Sequence, residues 1–124
     1  MNKLVKKVPK ADLLKEFLSS LNGVLNLTDR ELELLMVFVE LDINTPKLPN
    51  VRKNVTSTEN RKYINRTLGI TADNLSRYIK KFRKQGILLK GKAEDEEYVN
   101  AALIPEIISD RVQITIILKI DKDV

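Results

Sequence analysis

The stretch LGITADNLSRYIKKFRKQGILLKG, Leu68 to Gly91, decides how this 124-residue chain is read. Leu68-Gly69-Ile70 forms a tight turn in which Gly69 takes positive φ at little steric cost. Thr71 then caps a helix over residues 72–85. Leu75, Tyr78, Ile79 and Phe82 recur at i, i+3, i+4 and i+7, and Gly86 ends the pattern. The opposite face carries Asn74, Arg77, Lys80, Lys81 and Lys84. After Gly86 the period changes. Ile87-Leu88-Leu89-Lys90 reads as a short strand, Gly91 to Glu97 as a polar turn, and Tyr98-Val99-Asn100-Ala101 as the returning strand.

Upstream, Thr56 and Glu59 form a capping box that opens a helix through Arg66, with Tyr63, Ile64 and then Leu68 turned inward. Asp42 to Asn54 holds Pro46 and Pro49 without periodicity and reads as a loop. Thr28-Asp29-Arg30-Glu31 is a second capping box, with Leu27 placed to staple onto Leu32. The helix it starts is apolar nearly all round from Leu32 to Leu41, so it lies central to a core or is covered on a second side by a partner chain. Leu14, Phe17, Leu18 and Leu21 stripe a first helix that Asn22-Gly23 stops. The expected organisation is a basic arm over 1–10, one domain over 11–104 and an extension over 105–124, with a short helical turn begun near Pro105. The expected fold class is mainly α with a small antiparallel β hairpin.

Composition excludes more than it suggests. The chain has no Cys and no His, which removes disulfides, thiolate zinc sites and the commonest general base and transition-metal ligand. Its four glycines are scattered, so there is no Gly-rich phosphate loop. The expectation is a protein that is not an enzyme, with no catalytic residues, no metal and no cofactor. No apolar run nears the ~18 residues of a membrane span, and the N-terminus lacks the apolar core of a signal peptide.

Charge is unevenly placed. Val51 to Lys92 holds twelve basic residues against Glu59 and Asp73, a net of +10, while the other 82 residues carry 10 basic and 15 acidic groups, a net of −5. A compact basic block in a mildly acidic chain is the pattern expected for a polyanionic partner, and equally of a solvated Lys-rich helix face.

The order helix, Gly turn, helix with a basic outer face, then hairpin resembles a winged helix-turn-helix domain. Leu68 to Gly91 is similar to the recognition-helix and first-wing-strand segment of many bacterial transcriptional regulators. YVNAALI, Tyr98 to Ile104, is similar to the segment after the wing in winged-helix replication and maintenance proteins of plasmids and phages, with Ala101 where those often carry Pro. The resemblance covers roughly 28–104. It implies a double-stranded DNA partner, helix 72–85 in the major groove, and a cytoplasmic protein of bacterial, phage or plasmid type, or one found in host cytoplasm or virion.

Within that frame Asn74 suits bidentate contact with adenine, Arg77 suits guanine, and Ser76 suits base or phosphate. Lys80, Lys81 and Lys84 lie further along, toward phosphates, and Thr71 offers a hydroxyl and helix-start amides. Arg61, Lys62 and Arg66 on the preceding helix, with Arg52 and Lys53 before it, extend the footprint. Five to eight neutralised phosphates would give a log–log salt slope of about −5 to −7. The wing tip runs against this: Glu94-Asp95-Glu96-Glu97 places four carboxylates where a DNA-contacting wing usually carries Arg or Lys, so the wing points away from DNA or docks on a basic partner. Two readings follow, a DNA-binding regulator or replication-type factor and a winged-helix assembly or adaptor protein such as a phage particle component.

At the C-terminus Val112, Ile114, Ile116, Leu118 and Ile120 alternate with Gln113, Thr115, Ile117 and Lys119, the period of a half-buried strand. Such a strand pairs with the wing sheet or with a second chain, making a homodimer or another protein contact.

Overall fold

A computed structural model describes residues 3–45 and 52–122. Among them are four α-helices, α1 (Leu13–Leu25), α2 (Asp29–Asn44), α3 (Thr58–Leu68) and α4 (Ala72–Lys84), then an antiparallel hairpin of β1 (Leu88–Lys90) and β2 (Glu97–Val99). Short 3-10 turns at Lys10–Asp12 and Ala101–Leu103 flank this set. Among the described residues the fold is mainly helical, with one small two-stranded antiparallel sheet.

α2 is the centre. Leu34, Leu35, Phe38 and Val39 are sealed from water, and their neighbours come from α1 (Phe17, Leu18), α3 (Ile64), α4 (Leu75, Ile79, Phe82) and the hairpin (Leu88, Val99). Phe38 and Phe82 meet edge to face, centroids 6.2 Å apart at 70°, so α4 is seated on α2 by an aromatic pair. The capping box is present as expected, with Thr28 Oγ1 accepting from the Glu31 amide at 3.2 Å and Glu31 Oε1 accepting from the Thr28 amide at 2.9 Å.

Several boundaries differ from the sequence reading. α1 runs through Gly23 and stops at Asn26, in the left-handed region with φ 57°. The side chain of Asn22 clasps the Leu27 backbone by two bonds, from the Leu27 N–H at 2.8 Å and to the Leu27 carbonyl at 3.0 Å, so the left-handed stop falls at Asn26 rather than at Gly23. α2 continues past Asp42 to Asn44 because Asp42 is a buried ligand for the hairpin rather than the start of a loop. Pro46, Pro49 and Val51, like Met1 and Asn2 of the basic arm, lie outside the described residues. The cap of α3 is Ser57, accepting from the Asn60 amide at 3.2 Å. Thr56 is instead buried and spent on Asn54 and Glu97, so no Thr56–Glu59 capping box forms. Tyr63 stands 43% exposed rather than inward, while Ile64 is fully buried. β2 begins at Glu97, one residue before the expected strand, and pairs Leu88 with Val99 and Lys90 with Glu97. Residues 101–103 form the 3-10 turn, ahead of the helical turn expected near Pro105.

The largest departure is C-terminal. Ile108 and Arg111 close a tight reversal, with Ser109 at φ 61°. From Val112 to Ile120 the chain has no regular secondary structure and no backbone hydrogen bond among the described residues. The expected strand is absent because a strand is defined by its ladder, and neither strand of the hairpin reaches this segment. Instead Val112, Ile114 and Ile116 line a cleft of about 550 Å³ with Leu21 and Val24 of α1 and Ile104.

Candidate nucleic-acid interface

The Gly turn and the cap set the attitude of α4. Gly69 has φ 66°, as its position requires, and its N–H bonds the Asn65 carbonyl at 3.0 Å. The Asn65 amide donates to the Ile70 carbonyl and Arg30 donates to the Leu68 carbonyl, so the last turn of α3 is held from both sides. Thr71 then accepts from the Asn74 amide at 3.3 Å and starts α4.

α4 separates its charges by angle around the helix. Leu75, Ile79 and Phe82 are buried, and Arg77, Lys80 and Lys84 point directly away from them, along with Asp73, the only carboxylate on the helix. Lys81 and Arg83 stand on the two flanks, within reach of the core's edge. Lys81 Nζ meets Glu31 at 2.5 Å, and Glu31 is only 3% exposed. Arg83 takes the buried Glu97 with two parallel bonds, Nε to Oε2 at 2.7 Å and Nη2 to Oε1 at 2.8 Å.

Both carboxyls are held below their ordinary range. Burial pushes Glu97 up, but bonds from Arg83 and Thr56 and the charges of Arg83 and Lys90 outweigh it. Burial pushes Glu31 up too, and Lys81 with the Thr28 cap overcomes it. A third buried carboxylate, Asp42, accepts from Lys53 Nζ at 2.7 Å and from the Val99 amide at 2.8 Å.

These bonds sort the sequence-predicted residues. Arg52 pairs with Asp95 at 3.1 Å on the surface, Lys53 is enclosed against Asp42, Arg61 donates to the Thr56 carbonyl at 2.8 Å, and Lys81 is bound to Glu31. Lys62 and Arg66 of α3 and Asn74, Ser76, Arg77, Lys80 and Lys84 of α4 are exposed, and their side chains have no hydrogen bond or ion pair among the described residues. Thr71 is exposed, with its hydroxyl engaged in the cap. The sequence-predicted residues left unpartnered on α3 and α4 are therefore five cations and two short polar groups, with Asp73 exposed among those of α4.

The four carboxylates read as a repelling wing tip are corrected in part. Glu97 is 1% exposed inside the fold and Asp95 is paired with Arg52, which leaves Glu94 and the half-buried Glu96 at the tip. The basic block is likewise less free than its +10 suggests, because Glu31, Asp42, Asp95 and Glu97, all outside Val51 to Lys92, partner five of its cations. Glu31, Asp42 and Glu97 were the positioning residues that sequence reasoning missed. Asp42's signal was an acidic side chain at the end of the apolar run from Leu32 to Leu41, whereas Glu31 was legible only as a member of its capping box and Glu97 only as one of four consecutive carboxylates.

Among the described residues no group of three or more carboxylates is placed to hold a metal ion, and no helix is long and apolar enough to cross a membrane. Compared with models of protein families, with curated proteins and with solved structures, the chain has no match.

Proposed function

We propose that this chain is a winged-helix protein that binds double-stranded DNA through α4, as a transcriptional regulator or replication-type factor. The carrying observation is the outer face of α4, where Arg77, Lys80 and Lys84 are exposed and unpartnered, with Asn74 and Ser76 exposed on the flanks, while Lys81 and Arg83 on those flanks are bound inward. A reading helix needs this division: its apolar stripe fixed, its polar face free for base edges and phosphates. Arg77 takes guanine bidentately, Asn74 takes adenine, and Lys80 and Lys84, with Lys62 and Arg66, take phosphates. The order α3, Gly turn, α4, hairpin supports the winged-helix reading, with the hairpin locked to α4 through Arg83 and Glu97.

Titrating a labelled random-sequence duplex at low salt tests this. Micromolar or tighter binding is expected; none would overturn it.

A second reading, a winged-helix assembly or adaptor protein, is favoured by one observation: Ile117, Leu118 and Ile120 stand in water beside the fold. Apolar surface of that kind is covered by protein more readily than by DNA.

A further inference from the structure

Among the described residues the segment from Val112 to Ile120 is the least satisfied. Ile117, Leu118 and Ile120 are 75%, 86% and 88% exposed, and Ile114 and Ile116 are partly so. No backbone N–H or carbonyl from Val112 to Ile120 is paired among the described residues. Val112 to Leu118 contains no charge, no Pro and no Gly, and it is rich in β-branched residues. Everything required for a strand is present except the other strand.

The sequence identifies that partner. We propose that residues 110–122 pair antiparallel with the same residues of a second copy, about a two-fold axis through Ile116. In this register Val112 faces Ile120, Ile114 faces Leu118 and Ile116 faces itself, so all five apolar residues of one face meet apolar residues. At the ends Asp110 and Arg111, which pair with each other at 2.8 Å in the single chain, face Lys122 and Asp121, which brings opposite charges together at four places in the dimer. On the outer face Gln113 meets Lys119 and Thr115 meets Ile117.

Neighbouring registers lose this match. Centring on Thr115 sets Arg111 against Lys119 and Asp110 against Ile120, and centring on Ile117 sets Val112 against Lys122. Parallel in-register pairing stacks Arg111, Lys119 and Asp121 each on its own kind. Only the antiparallel register centred on Ile116 satisfies both the apolar face and the ends.

The area agrees. Ile114, Ile116, Ile117, Leu118 and Ile120 expose roughly 600 Å² per chain, the same order as the ~800 Å² per partner of an ordinary stable interface. Residues Val112 to Ile117 line the cleft with Leu21 and Val24, so pairing stiffens the segment that borders it. Such a contact is isologous and closes as a dimer rather than a fibre. It is independent of the DNA reading.

Because the chain has no Cys, single cysteines report the register directly. In the full chain Ile116→Cys is expected to form an intermolecular disulfide under mild oxidation, since residues facing each other across antiparallel strands have Cα atoms about 4.5–5.5 Å apart. Ile114→Cys and Leu118→Cys alone are expected not to, because each is more than 10 Å from its own copy, while a mixture of the two forms a heterodimer. Sedimentation of the unmodified chain is expected to show a dimer at micromolar concentration, and Ile116→Lys a folded monomer. A monomeric wild-type chain at high micromolar concentration would overturn the proposal, as would equal crosslinking at 114, 116 and 118.

Discussion

Arg83 holds Glu97 with both arms of its guanidinium, at 2.7 and 2.8 Å, and so ties the hairpin to the flank of α4. Glu97 also receives Thr56 from the segment before α3, and its backbone bonds Lys53 and Val55. One buried carboxylate thus joins three elements whose relative placement determines which face of α4 is free.

Removing Arg83 leaves that carboxylate buried with too few partners. Arg83→Ala is expected to cost about 3 kcal/mol, in the range for breaking one side of a buried pair. Arg52→Ala, which breaks the surface pair with Asp95, is expected to cost under ~0.5 kcal/mol. Urea unfolding of both variants checks the contrast, and comparable losses would contradict it.

The depressed carboxyls make stability acid-sensitive. Glu97 and Glu31 stay ionised in the folded chain at pH values where the unfolded chain protonates them, starting near their ordinary 4.5. Unfolding therefore takes up protons. The stabilisation is present above about pH 4.5 and is lost as pH falls through the folded values. The urea midpoint is expected to drop below that pH and to drop less steeply in Glu97→Gln. A midpoint flat between about pH 6 and about pH 3 would contradict this.

Lys81 and its neighbours on α4 separate by role. Lys81→Ala removes the partner of buried Glu31 and is expected to lower stability by about 1 kcal/mol with little change in DNA affinity. Lys80→Ala and Lys84→Ala are expected to leave stability within about 0.5 kcal/mol and to weaken binding to all duplexes alike. Thermal melts with anisotropy titrations of the three variants decide it.

Arg77→Ala tests base reading as distinct from charge. Loss of one bidentate contact is expected to cost ~1–3 kcal/mol on the preferred sequence and to relax preference at one position. Selection of bound sequences from a random pool, before and after the substitution, measures it. An unchanged preference would reduce Arg77 to a phosphate contact.

What could be read from the sequence was local. The Thr28–Glu31 capping box, the Gly69 turn, the Thr71 cap and the Leu75–Ile79–Phe82 stripe depend on residues a few positions apart, and all are present. What escaped was long-range. Lys81 meets Glu31 fifty positions away, Lys53 meets Asp42 across the loop, and Glu97 belongs to a carboxylate run whose other members are at the surface. No spacing rule marks which charge on a basic face is internally bound, so paired and unpaired cations look alike in the sequence. The C-terminal strand was overread for the same reason: the alternation of Val112 to Ile120 specifies a strand's faces, but a ladder needs a partner that the single chain does not supply.

The most direct test of the central claim is the salt dependence of DNA binding. The internal pairing of Lys53, Lys81, Arg83 and Arg52 leaves Lys62, Arg66, Arg77, Lys80 and Lys84 as the exposed, unpartnered cations of the α3–α4 face. With ~4–5 phosphates neutralised, log affinity for duplex DNA is expected to fall against log salt with a slope of about −4, shallower than the whole basic block would give, and to lose about one unit of slope in Lys84→Ala. A chain that does not bind duplex at low salt, or that binds with a slope near zero, would contradict the account.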